Sequence, residues 1–181
     1  MSATWVALLR GMNVGGHRIT NADLAAAFTA LGMANVATYR ASGNVIFDAA
    51  EDAAALTARI EEGLQGALGY AVPTYLRSGA DFLAVAATTP FTTEQVAAVR
   101  GKPQVTFLGA APSEDVRSSV LALATDEDRL VLEGRELYWL PTAGILQTKL
   151  DLRAIESLLG VGTMRTLGTV AGIAKTVRAR A

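Results

Sequence analysis

Cysteine is absent from this chain of 181 residues, and histidine occurs once, at His17. The first absence excludes disulfides, thiolate nucleophiles and zinc sites built on cysteine. The second leaves little from which to assemble a transition-metal centre. Long apolar runs are missing too. No stretch approaches the roughly 20 residues needed to span a bilayer, and glycines with Asn13 interrupt the opening apolar segment before it could serve as a secretion signal. Excess charge is lacking as well: the net value is −1, so no global field draws the chain to nucleic acid or to an anionic membrane. Together these absences predict a soluble, cytoplasmic protein with no cofactor or metal implied.

The composition is apolar at 51%, much of it alanine, which predicts close packing between thin helices. Charge is unevenly placed. Residues 1–48 carry three arginines against two acids, residues 49–148 seven basic against thirteen acidic, and residues 149–181 six against two. An ordinary solvated surface accounts for that pattern. The acidic clusters Asp126-Glu127-Asp128 and Glu61-Glu62 are expected to be solvated faces or loop acids.

The first apolar run, "TWVALL", predicts a strand buried on both faces, with Trp5, Ala7 and Leu9 on one side and Val6, Leu8 and Arg10 on the other. Thr20 and Asp23 form a capping pattern; Leu24, Phe28 and Leu31 follow at helical spacing, and Gly32 ends the helix. "NVATYR" and "NVIFD" are strands joined through Ala41-Ser42-Gly43 as a hairpin. A second helix carries Leu56, Ile60, Leu64 and Leu68 on one stripe, with Gly69 at its end, and "VPTYLR" is a closing strand. This order, β-α-β-β-α-β, is that of a ferredoxin-like plait.

Beyond residue 78 the same order returns more loosely. Ser78 and Asp81 start a short helix broken at Pro90, and "QVTFLG" is a strand. Ser113 opens a helix with Val116, Val120 and Leu123, and "RLVLEGRELYWL" is a hairpin turning near Gly134. A helix from about Asp151 to Leu159, capped by Thr148, leads to a weak strand and a last helix ending near Val177. The fold class is α+β: two ferredoxin-like halves, 1–78 and 79–181, packed as one unit, the second irregular. The repeat reads as one of element order, not of residues. One apolar face of the first sheet is expected under its helices, and the other under the second half or a partner chain, which leaves the oligomeric state open.

In such a plait the loop leaving the first strand and the hairpin between strands two and three lie at one end of the sheet. That brings Arg10, Asn13, Gly15, Gly16 and His17 beside Arg40, Ser42, Gly43 and Asn44. Both segments are rich in donors, and the first leads into a helix N-terminus, where free N–H groups favour an anion. Plain turn geometry explains Gly15-Gly16 equally well, and plain hairpin chemistry explains Ser42-Gly43-Asn44. Sharper readings fail on particulars. No acid ends the second strand to hold a ribose, no lysine lies four residues after any tyrosine, and the loop lacks the lysine and hydroxyl of a P-loop. Asn44 stands where an RNA-binding plait needs a stacking aromatic. No nucleophile is accompanied by a base and an orienting group.

The two motifs "ALLRGMNVGGHRI" and "TYRASGNVIFD" resemble those of a bacterial family catalogued as domain of unknown function 1697, whose members open on "ALLRGINVGG" and continue with "TY…SGNVVF". The resemblance implies tandem ferredoxin-like plaits, the second irregular, and no particular reaction. Arg10, Asn13, Gly15, Gly16, Ser42, Gly43 and Asn44 match its motif positions, and His17 stands where a lysine is common. Near the C-terminus the family shows G-R-S-K-L and T-R-N-W-N-T, whereas this chain has "ILQTKL" and "MRTLGT". Lys149, Arg165 and Thr169 are kept; Thr166, Leu167 and Gly168 depart.

The leading expectation is a binding site for a small anionic or phosphate-bearing ligand built from Arg10, Asn13, Gly15, Gly16, His17, Ser42, Gly43 and Asn44, with Arg40, Lys149 and Arg165 as additions. The alternatives are an enzyme using His17 or a carboxylate as acid or base on such a ligand, and a non-catalytic scaffold or interaction module. The module would use its sheet or its basic C-terminal helix, with Lys175, Arg178 and Arg180, and its weak nucleic-acid affinity would fall steeply with salt.

Overall fold

The computed structural model describes residues 2–13, 16, 18–41 and 43–180. Its chain divides into two units, Met1–Ala86 joined by Ala171–Ala181, and Ala87–Val170. The last segment of the chain thus groups with the first unit, not with the residues that precede it.

The first unit runs β1 (Ala3–Leu9), α1 (Asn21–Ala30), β2 (Ala34–Thr38), β3 (Asn44–Ala49), α2 (Ala53–Leu68) and β4 (Thr74–Ser78), followed by α3 (Gly79–Ala87). Its strands form one antiparallel sheet in the order β2-β3-β1-β4, the ferredoxin-like arrangement. Local chemistry sets the helix ends. The Thr20 and Asp52 side chains cap α1 and α2 by accepting from the amides of Asp23 and Ala55. α2 stops at Gly69, whose φ of 78° suits a residue without Cβ.

Leu24 and Phe28 of α1, with Leu56, Ile60 and Leu64 of α2, pack on Ala7, Leu9, Val45, Phe47 and Leu76. The Phe28 and Phe47 rings meet at 5.5 Å in a tilted pair. Each fully buried leucine or isoleucine here contributes roughly 1.5–3 kcal/mol by leaving water. The opposite face carries Thr4, Val6, Leu8, Ile46 and Asp48. There the end of α7 (Leu167–Arg178) and the residues after it arrive. Val177 lies beside Gly79, Arg180 reaches Asp48 at 3.6 Å, and Gly172 sits so close to the Tyr39 phenol that a side chain would collide with it.

The second unit contains α4 (Thr93–Ala97), β5 (Gln104–Phe107), α5 (Glu114–Leu121), β6 (Asp128–Glu133), β7 (Glu136–Pro141), α6 (Leu152–Leu159) and β8 (Thr163–Thr166). Its sheet order, β6-β7-β5-β8, repeats that of the first unit strand for strand. It is irregular in proportion: β5 and β8 have four residues each, and the short α4, fixed by a Thr92–Gln95 capping box, has no sequence expectation behind it. The cap of α6 also differs from expectation. Asp151, not Thr148, accepts from the Ala154 amide, because Thr148 instead accepts from Leu150 and donates to Asp128.

The repeat extends to one residue. β4 and β8 are the edge strands that follow each unit's second plait helix, and each carries a buried arginine paired in register with a valine, Arg77 with Val6 and Arg165 with Val105. Each guanidinium turns back on its own strand and donates to the preceding carbonyl, Leu76 or Met164, at 2.8 Å. A neighbouring strand would otherwise satisfy such an edge carbonyl.

Candidate functional site

β1 ends by crossing to the hairpin. The Leu9 amide donates to the Gly43 carbonyl at 2.8 Å, and the Arg10 amide to Pro73, just before β4, at 2.9 Å. Gly43 has φ of 70°, and a Cβ there would stand 2.7 Å from Met12 Cγ and 2.9 Å from Leu9 Cβ. Only glycine fits that backbone and that contact.

Asn13, at φ 58°, ties three segments together. Its Nδ2 donates to the Ala41 carbonyl at 2.8 Å, and its Oδ1 accepts from the Ile19 amide at 2.9 Å. Asn44 is fully buried and donates through Nδ2 to the Tyr39 carbonyl at 2.8 Å, while the Tyr39 amide donates back to Asn44. These two side chains brace the rim from within. The loop and the hairpin are thereby one cross-linked edge of the first unit.

Among the described residues, the cations on these two segments are Arg10, half-buried, and Arg18 and Arg40, exposed. Arg40 takes φ of 57° and lays its guanidinium 5.6 Å from the centre of the Tyr39 ring. Gly16 has φ of 89° with open space around it. Gly15, His17 and Ser42 lie outside the described residues. Arg18 was missed by motif reasoning, although a signal was present: residues 10–22 and 39–47 hold no carboxylate.

The start of α1 differs from the expected anion receptor. Thr20 accepts from the Asp23 amide and donates to the Asp23 carboxylate at 2.7 Å, so the first turn already holds its own negative charge.

Lys149 and Arg165 belong to the second unit. Lys149 is exposed and pairs with Glu127 at 3.0 Å. Arg165 donates to Thr163 Oγ1 and the Met164 carbonyl at 2.8 Å. Burial pushes its guanidinium down to about 10, which leaves it charged near neutrality.

Two acids expected in solvent have structural partners instead. Asp128 is 1% exposed. Its carboxylate accepts from Trp139 Nε1 and Thr148 Oγ1 at 2.8 Å, and from Thr125 Oγ1 at 3.1 Å. Glu61 accepts from the Thr74 amide at 2.8 Å. Asp126, Glu127 and Glu62 are exposed, as expected. Among the described residues, no helix is long and apolar enough to cross a membrane.

Residues 2–138 match a family model described as "Protein of unknown function (DUF1697)". The chain belongs to the DUF1697 family. The matched residues contain the whole rim, from Arg10 to Asn44, whereas Lys149 and Arg165 lie beyond them. No curated protein matches the chain. Among solved structures, the conserved bacterial protein SP0830 from Streptococcus pneumoniae is similar at a TM-score of 0.76 and 22% identity, over 98% of this chain and 99% of that one. At that identity the likeness establishes a shared fold for this DUF1697 protein.

Proposed function

We propose that this DUF1697 protein binds a small anionic or phosphate-bearing ligand at the rim shared by the β1–α1 loop and the β2–β3 hairpin. One observation carries the reading. Two loops separated in sequence are cross-tied by the Leu9–Gly43 and Asn13–Ala41 hydrogen bonds, and their segments, residues 10–22 and 39–47, carry Arg10, Arg18 and Arg40 and no carboxylate of their own. Arginine forks suit phosphate oxygens bidentately. Arg10 and Arg40 supply the charge, Arg18 and His17 add to it, and the Gly15–Gly16 amides and Ser42 orient the bound group. Asn13 and Asn44 hold the frame rather than the ligand.

The test is a titration of isotope-labelled protein with inorganic phosphate, pyrophosphate and ADP. The Gly16 and Gly43 amide resonances should shift with at least one of them. Arg10→Gln and Arg40→Gln should each weaken that affinity about tenfold, or ~1.4 kcal/mol, and added salt should weaken it further. Resonances unmoved by all three probes reject the proposal.

A further inference from the structure

Among the described residues, the non-glycine positions with positive φ are Asn13, Asn35 and Arg40. Asparagine visits the left-handed region readily, whereas arginine does so at a cost. Glycine would meet the φ of 57° at residue 40 freely, yet a cation stands there, just past the end of β2. Such outliers persist only where the surroundings over-determine them. Here those surroundings centre on Tyr39.

Tyr39 is fixed at both ends. Its amide donates to the Asn44 carbonyl at 3.0 Å, and its carbonyl accepts from Asn44 Nδ2 at 2.8 Å. Its ring reaches α7, where a Cβ on Gly172 would overlap the phenol hydroxyl and Cζ. Glycine opens that seat by letting the helix backbone come close. The helix is itself anchored by the buried Ile173, Ala174 and Val177 that follow Gly172. Neighbouring side chains of an extended strand leave on opposite faces. Past β2 the chain is no longer extended, and the left-handed turn at residue 40 leaves the Arg40 guanidinium 5.6 Å from the centre of the Tyr39 ring. The contact removes in advance part of the rotamer freedom that an arginine loses on gripping an anion. We infer that Tyr39 is a positioning residue of the anion rim: seated on Gly172 of α7, its ring holds the Arg40 guanidinium where the ligand binds. The inference deepens the proposed function and rests on it.

Side-chain Nε–Hε and amide spectra of the isotope-labelled full chain, recorded with and without inorganic phosphate, pyrophosphate and ADP, test this. In the free protein the Arg40 side-chain resonance should carry the ring-current shift of Tyr39. Tyr39→Phe, which keeps the ring, should preserve that shift. Tyr39→Leu should abolish it, and Gly172→Ala, which pushes the ring off its seat, should change it. Tyr39→Leu and Gly172→Ala should each weaken affinity for the bound probe about threefold, with Tyr39→Phe matching the native chain. In an Arg40→Gln background Tyr39→Leu should have no further effect, a coupling that general loosening of the hairpin would not produce. An Arg40 resonance indifferent to Tyr39→Leu, a Tyr39→Leu chain that binds as tightly as the native one, or a loss that persists in full beside Arg40→Gln overturns the inference while the anion rim stands. A native chain that binds none of the three probes rejects the rim itself, and the role of Tyr39 with it.

Discussion

Asp128 opens β6 at the end of an acidic triplet, and nothing in its neighbours separates it from Asp126 or Glu127. Its burial follows from Trp139 on the paired strand, whose indole N–H needs an acceptor once enclosed, and from Thr148, twenty residues on, which turns its hydroxyl to the same oxygen. A carboxylate accepting three bonds is well satisfied; removing it leaves a buried indole donor without its acceptor. Asp128→Ala should therefore cost about 3 kcal/mol in urea unfolding, and Asp128→Asn, which keeps one acceptor oxygen, only about 1 kcal/mol. Equal effects would show that the carboxylate is not holding the network. The rim asparagines teach the same lesson. Their positions were legible from the motifs, but whether Asn13 and Asn44 face outward or brace the loops depends on the Ala41, Ile19 and Tyr39 backbone groups that the fold brings to them.

Helix α7 shows what an element's own pattern leaves open. Its apolar spacing and its basic end, Lys175 and Arg178, predict a helix without naming the sheet it serves. The chain just after it reaches Asp48, which also accepts from Thr4 at 2.8 Å and Asn35 at 2.7 Å. Burial alone would raise the Asp48 carboxyl. The hydrogen bonds from Asn35 and Thr4, with the Arg180 guanidinium, outweigh it and hold the group below the usual carboxylate range. A carboxyl lowered in the folded state stabilises fully above its unfolded pKa of about 3.9, and that contribution is lost as pH falls through the folded value. Removing the charge of Arg180 by Arg180→Gln should raise the Asp48 carboxyl titration seen by NMR. Asp48→Asn should reduce the acid sensitivity of unfolding below about pH 4 while leaving the slope near neutrality unchanged. A titration of Asp48 identical in the native chain and the Arg180 variant would mean that this ion pair contributes nothing.

At the scale of the molecule, two plaits with the same strand order follow one another, and residues 171–181 belong with the first. Truncation after Val170 removes Val177 from beside Gly79 and Arg180 from Asp48, so amide-exchange protection should fall further in β1 and β3 than in β5 and β7. Equal loss in both sheets would contradict the grouping. The sequence by itself determined the element order of the first half and, apart from α4, of the second, together with the hairpins, the caps of α1, α3 and α5 and the family, because apolar period, capping side chains and glycine turns act across a few residues. Tertiary structure decided which polar groups are buried, which cations share an edge, where α7 ends its path and that Arg77 and Arg165 serve the same purpose. Those outcomes depend on partners tens of residues away, whose arrival no local spacing encodes.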